Sequence, residues 1–419
     1  MQAGAAPGWG EMARVFGRIG LLSFGGPAAQ IALMQRELVE RARWIEDREY
    51  LSALSFCMLL PGPEAMQLAT WCGWRLRGVA GGLLAGLLFV LPGAAVVLGL
   101  SVAYAMWGAL PLTAALFLGV KAVVVVVVVE ALVRVARRAL KTRAHRMVAG
   151  LAFLALFGFG LPFPVVILAA GLWGLMQPAG AAPAGAARAP VQARTLRTVA
   201  VWGAVWLGPL AALGLIGPPL LYEIGLFFSM LAVLTFGGAY AVLAWMTQAV
   251  VEDKGWLTLP QMIDGLGLAE TTPGPLILVT EFVGYMAGFG AGGAALGVAG
   301  AVVAVWMTFA PCFLWIFAAA PWLERITGTP RLAAALSAIT AAVVGVIASL
   351  SVWFAAHVAF DEVGRVGALI VPDPASLNPL AIVQAAVAGV LLLRWHWPLP
   401  LVLGLAALVS GGLSLMLPV

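Results

Sequence analysis

Where this chain omits charge decides what it can fold into. No Asp, Glu, Lys or Arg occurs between Arg77 and Lys121, between Arg146 and Arg188, or between Glu281 and Glu324. Shorter uncharged runs separate Glu223 from Glu252, Arg331 from Asp361 and Asp373 from Arg394. Crossing the hydrocarbon core of a bilayer takes roughly 20 apolar residues, so each long run holds two crossings and a tight turn. Turn residues stand at Gly108–Pro111 and Gly158–Pro164. With 63% hydrophobic and 10% charged residues, the chain falls outside the soluble class. Open sheet edges cannot satisfy their backbone in lipid, so the expected fold is all-α and polytopic, with about ten to thirteen helices.

The same composition excludes several functions. The N-terminus shows no secretory pattern. Cys57, Cys72 and Cys312 have no metal or redox spacing and read as small core residues, while His145, His357 and His396 lie too far apart for a metal site. No metal and no cofactor are expected. The net charge of +5 belongs to membrane loops, so nucleic acid is not an expected partner.

An internal repeat organises the chain. Ser23-Phe24-Gly25-Gly26 recurs 212 residues on as Thr235-Phe236-Gly237-Gly238. At that offset Glu11 meets Glu223, Met34 meets Met246, Trp44 meets Trp256, and Pro61-Gly62-Pro63 meets Pro273-Gly274-Pro275. After an insertion the register resumes at an offset of 219, where Pro92 meets Pro311 and Lys121 meets Thr340. The domains expected are 1–177 and 198–419, joined by a basic Ala/Pro/Gly-rich linker at 178–197. Of 23 Lys and Arg, 18 fall at or before Arg197. The basic stretch Arg134–Arg146 is answered in the second copy by a loop carrying Asp361, Glu362 and Asp373. Basic residues gather on the cytoplasmic side, so equivalent loops are expected on opposite sides: an inverted repeat, with the linker cytoplasmic. That design belongs to secondary transporters, with a site near the midplane.

Paired helix breaks point to the site. Pro61-Gly62-Pro63 and Pro273-Gly274-Pro275 each interrupt short apolar helices, and the Phe-Gly-Gly motifs break the helices before them. A helix restarting inside the membrane presents unpaired N–H groups and partial positive charge, an anion cradle. Simple kinking for packing is the bland alternative. The candidate substrate-binding residues are Arg18, Ser23, Gly25, Gly26, Pro61, Gly62, Pro63, Gln67, Lys121, Thr235, Gly237, Gly238, Thr272, Pro273, Gly274 and Pro275. Intramembrane cations are costly unless paired or lining a cavity. Arg18 has Glu11 or Glu64 as a candidate partner; Lys121 pairs with Glu130, snorkels to the interface, or lines the cavity. Glu64, Glu130, Glu270 and Glu281 are the candidate acids for ion pairing or proton coupling.

Phe24-Gly25-Gly26-Pro27, Trp44-Ile45, Phe56 to Ala65, Gln67-Leu68-Ala69-Thr70 and Phe89-Val90-Leu91-Pro92 resemble the first domain of the long-chain chromate ion transporters. Phe236-Gly237-Gly238, Gly255-Trp256-Leu257-Thr258 and Thr272-Pro273-Gly274-Pro275 resemble the second. The resemblance covers nearly the whole chain. It implies a bacterial inner-membrane chromate exporter, driven by membrane potential or proton-motive force, that confers chromate resistance, with sulfate as a structural analogue. The implied partners are chromate, or sulfate, and the lipid bilayer; a second copy of the chain is allowed. A sulfate transporter of the same architecture and an anion channel are the near alternatives. A membrane-embedded reductase would need a cofactor motif, and the sequence carries none.

Overall fold

The computed structural model describes residues 7–24, 26–108, 110–177, 193–236, 239–323, 329–366 and 369–416. Among them stand fifteen α-helices, more than the sequence reading expected because several are too short to cross a bilayer. In the first copy these are α1 (Trp9–Leu22), α2 (Gly26–Gln35), α3 (Asp47–Cys57), α4 (Glu64–Trp107), α5 (Pro111–Ala139), α6 (Arg143–Phe153) and α7 (Phe163–Met176). After α8 (Ala193–Ile216) come α9 (Pro219–Leu234), α10 (Ala239–Gln248), α11 (Leu259–Thr271), α12 (Val279–Ala319), α13 (Pro330–Ala359), α14 (Pro379–Gly389) and α15 (Leu399–Met416). Five segments are long and apolar enough to span: 64–107, 115–139, 195–216, 276–322 and 330–359.

The copies match element by element. α1 to α7 correspond to α9 to α15, including π-helical endings at Arg36–Arg41 and Ala249–Asp253. The repeat also reaches further than the sequence motifs show. α6 with its π turn Leu154–Gly158 and α14 with Val390–Arg394 begin and end at one offset, 236, and Pro162-Phe163-Pro164 meets Pro398-Leu399-Pro400 there. The step from 219 to 236 holds a two-stranded antiparallel hairpin, Val363–Val366 with Leu369–Pro372. It is the exception to the all-α expectation, and it falls in the acidic loop rather than in an apolar run. α8 has no counterpart in the first copy, and its first turn, from Ala193, takes the last residues of the expected linker; the rest of that linker, 178–192, lies outside the described residues.

α4 and α12 are helical hairpins rather than single rods. Both reverse at a residue pair of matching conformation: Arg77 (φ −143°, ψ 32°) with Gly78 (φ 61°, ψ −155°), and Gly292 (φ −160°, ψ 21°) with Gly293 (φ 78°, ψ −168°). The turn therefore equates Gly78 with Gly293, an offset of 215 that lies between 212 and 219, so the insertion is divided between the two arms. Small residues let the arms touch: a Cβ on Gly73 would stand 2.2 Å from the Gly81 carbonyl oxygen, and one on Gly300 2.2 Å from that of Gly284. The returning arms carry Pro92 and Pro311, tolerated inside bundled membrane helices.

The helices form two compact units, and each draws on both copies. The first comprises Met1–Val102, Pro178–Ala239 and Thr272–Ala333; the second comprises Ala103–Gln177, Tyr240–Thr271 and Ala334–Val419. In the first, α12 packs on α8 and α9. In the second, α5 lies against α11, α14 and α15. Only 11% of the apolar window of α8 is buried: one face carries Trp202 and Trp206 against α12 and α9, and the rest of the helix is left uncovered by its own unit.

Candidate functional site

Within the first unit the two Pro-Gly-Pro breaks are stitched to the opposite copy. The Gly62 N–H donates to the Thr235 carbonyl at 2.8 Å, and the Gly274 N–H donates to the Ser23 carbonyl at 2.9 Å. The two donors stand 212 residues apart, and so do the two acceptors, so exchanging the copies exchanges the bonds. Such reciprocity is the mark of a two-fold relation between like surfaces. Gly62 (φ +117°) and Gly274 (φ +93°) hold backbone conformations that glycine supplies without steric cost. Packing is reciprocal as well. A Cβ on Gly62 would meet Cys312 Sγ at 3.0 Å, and one on Gly93, the equivalent of Cys312, would meet the Pro273 carbonyl oxygen at 2.3 Å.

These bonds change the donor inventory expected from the sequence. The break glycines direct their amides at protein carbonyls. The hydroxyls of Ser23 and Thr235, both buried, donate to Ile19 and Leu231 carbonyls at 2.6 and 2.7 Å. The donors facing away from the ladder are the first-turn amides of the restarting helices. In the first copy, Gln67 N–H to Pro63 O (3.1 Å) is the opening bond, downstream of Ala65 and Met66. In the second, Leu278 N–H to Pro275 O (2.9 Å) opens a short 3-10 turn, Leu276–Leu278. Each restarting helix carries an acid in its first turn, Glu64 in α4 and Glu281 in α12. Glu281 is buried, and its Oε2 has no hydrogen-bond partner. Glu270 and Thr272, before and at the second break, are buried too.

Two glutamines brace the breaks. Gln67 Nε2 donates to the Pro61 carbonyl at 2.6 Å, and Gln30 Nε2 donates to the Gly274 carbonyl at 2.7 Å. Both side chains are at most 1% exposed, and in both the Oε1 acceptor has no partner. Gln67 stood among the sequence candidates; Gln30 did not, although it lies one turn past the Phe-Gly-Gly-Pro motif. Gly26, with φ +78°, begins α2. Gly25, Gly237 and Gly238 lie outside the described residues.

The cations find partners other than those the sequence suggested. Arg18 sits 3.8 Å from Glu37, an acid of the π turn after α2, not from Glu11 or Glu64. Glu37 also accepts from Arg41 at 2.6 Å. Glu130 is ion-paired, but with Arg134 one turn along its own helix, not with Lys121. Lys121, in the second unit, lies 3.4 Å from Asp264 Oδ1 on α11, and the Tyr104 hydroxyl donates to Asp264 Oδ2 at 2.7 Å. Asp264 and Tyr104 were not among the sequence candidates. The signal available was an acid in the middle of the short helix before the second break, where the first copy has Ser52. Among the described residues, no group of three or more His, Cys, Asp or Glu could hold a metal ion.

The sequence model of the family described as "Chromate transporter" matches residues 10–175 and 222–411, leaving out the linker, α8 and the chain ends. A chromate transport protein of Pseudomonas aeruginosa is 35% identical over 350 residues, 80% of this chain and 79% of that protein. One of Cupriavidus metallidurans is 30% identical over 348 residues, 80% of each. The uncharacterized transporter YwrA of Bacillus subtilis is 27% identical over 157 residues, which are 37% of this chain but 88% of that protein, the size of a single copy. No solved structure matches. The chain is a multi-pass membrane protein of two homologous halves, and it belongs to the chromate transporter family.

Proposed function

We propose that this protein exports chromate across a bacterial inner membrane, with the oxyanion held where the helices of the two copies restart. The observation that carries this reading is the reciprocal stitching of the Pro-Gly-Pro breaks. Helix breaks kept in both copies, bonded to each other's neighbours, belong to a transport site at a repeat interface. The first-turn amides of Ala65 and Met66 and of Leu276–Ile277 supply partial positive charge for a tetrahedral dianion. Pro61, Pro63, Pro273 and Pro275 withhold N–H groups and so set where each helix begins. Arg18 in the first unit and Lys121 in the second each add a full charge, held meanwhile by a carboxylate.

The inverted arrangement of domains 1–177 and 198–419 fits an unpaired crossing between them, and α8 has the length and exposure for that role. With the basic loops inside, the potential drives the export: about 2.3 kcal/mol per charge per 100 mV, and twice that for a dianion. Sulfate, of the same shape and charge, is the second substrate this cradle suits. Chromate resistance of the host cell follows from export.

The test is uptake into everted membrane vesicles, with and without excess sulfate and with an ionophore that collapses the potential. The expected result is chromate accumulation that sulfate inhibits and the ionophore abolishes. Energised vesicles containing well-inserted protein but accumulating no chromate would overturn the reading.

A further inference from the structure

Lys121 does not reach Asp264 by chance of a long side chain; the backbone around it is clamped. A Cβ on Gly119 would stand 2.1 Å from the Ala406 carbonyl oxygen of α15, and one on Gly267 of α11 would stand 2.3 Å from Val120 Cγ1. α5 is thus held between α15 and α11 at residues 119 and 120, and the next side chain, Lys121, emerges beside Asp264, one turn before Gly267. The carboxylate is held unequally. Oδ2 accepts the Tyr104 hydroxyl at 2.7 Å, whereas Oδ1 faces the Lys121 ammonium at 3.4 Å and has no hydrogen bond. Tyr104 anchors the acid, and the ammonium is the looser partner. Lys121 is also the more accessible, its side chain 19% exposed against 7% for Asp264. The pair is made once: the repeat equivalents of Lys121 and Asp264 are Thr340 and Ser52.

The charges facing Asp264 are few. α5 contributes Lys121 and the end of α4 contributes Tyr104; α15 contains no ionisable residue, and the other acid of α11 is Glu270, six residues on. A dianion that approaches Lys121 therefore meets a cluster already neutral, with a carboxylate opposing it. A proton from solvent on Asp264 removes that opposition and frees the ammonium. Building on the proposed oxyanion transport, we propose that Asp264 and Lys121 form a proton-linked switch: oxyanion binding at Lys121 brings one proton onto Asp264, and the two travel in the same direction. The sign is that of cotransport, because the proton and the dianion favour one another; an exchanger would need them to compete. Each chromate leaving the cell then moves one net negative charge instead of two.

Purified full-length protein in lipid nanodiscs gives the test, with sulfate as the probe because it stays a dianion across the working pH range, and chromate alongside. Binding is followed by calorimetry and proton uptake by a pH indicator in weakly buffered solution. The wild type is expected to take up about one proton per sulfate, its affinity falling about tenfold per pH unit on the alkaline side. Asp264→Asn should bind with no proton uptake and no pH slope. Tyr104→Phe keeps the acid but removes its anchoring donor, so its binding should persist to higher pH; it decides the matter if Asp264→Asn fails to fold. Wild-type binding without proton uptake, an Asp264→Asn profile that keeps the slope, or a Tyr104→Phe profile identical to wild type would overturn the switch while leaving oxyanion transport standing. Failure of the wild type to bind either anion would overturn both.

Discussion

The two Pro-Gly-Pro breaks have one backbone and two chemistries. Each sends a glycine amide to the carbonyl that ends a helix of the other copy, at 2.8 and 2.9 Å. Around that shared frame the side chains have diverged. Gly62 lies under Cys312 Sγ, whereas Gly274 lies against the bare backbone of Gly93. The glutamine bracing the first break is Gln67 on the helix that follows it, and the one bracing the second is Gln30 on α2. Their repeat equivalents are Val279 and Val242, so the first copy supplies both amides. Backbone hydrogen bonds broken in lipid must be satisfied wherever they occur, which keeps the frame symmetric. Side chains face no such demand, so the two copies are free to differ there.

The largest effect should come from putting a side chain where the second break has none. In Gly93→Val the new Cβ meets the Pro273 oxygen at 2.3 Å, Leu278 Cδ1 at 2.7 Å and Gly274 Cα at 3.1 Å. The cost should reach or exceed the upper end of the ~1–3 kcal/mol usual for overpacking. Most of the monodisperse peak in size-exclusion chromatography should disappear, while Cys312→Ala at the equivalent position retains it. A Gly93→Val protein that elutes and transports like wild type would show that the two breaks do not depend on this contact.

Next comes the pair that only one side of the repeat makes. Lys121→Met leaves Asp264 buried without its countercharge; the ~3–5 kcal/mol cost of breaking a fully buried pair is reduced here because Lys121 is 19% exposed and Tyr104 still donates to the acid, so the loss should stay below that of Gly93→Val. Replacing both, Lys121→Met with Asp264→Leu, should recover much of that loss. Thermal unfolding in nanodiscs of the two single variants and the double closes the cycle. Additive losses would mean that the residues do not interact, and that the 3.4 Å approach carries no coupling.

The smallest effect concerns the glutamines. Gln30→Leu and Gln67→Leu each leave a break carbonyl without its donor, a loss of about 1–3 kcal/mol, lessened because the unpartnered Oε1 goes as well. The thermal midpoints of the two variants should fall by similar amounts, and unchanged midpoints would refute the bracing role. Comparing their chromate transport then asks whether either amide does more than hold backbone.

Charge-free runs, Gly-Pro punctuation and the 212-residue recurrence made the helical membrane class, the duplication and the positions of all four breaks legible in the sequence. These are local properties: a break must carry its glycine or proline in place, and a span must carry its own apolar length. The extent of the repeat was less legible. α6 and α14 share length and π ending with little sequence in common, because lipid-facing positions accept any apolar residue. The reversals inside α4 and α12 were not read from the sequence, since glycines recur along both helices and none of them alone marks a turn.

What the sequence alone determined, then, is where helices start, stop and repeat. The tertiary structure alone decided which groups those helices bring together. Asp264, not Glu130, faces Lys121, and Glu37, not Glu11 or Glu64, faces Arg18. The break amides turn to protein carbonyls 212 residues from their own copy's equivalents. Spacing along one helix restricts partners to the next turn or two, but a partner on another helix depends on which faces pack. Here glycines permit that packing without naming the neighbour in advance.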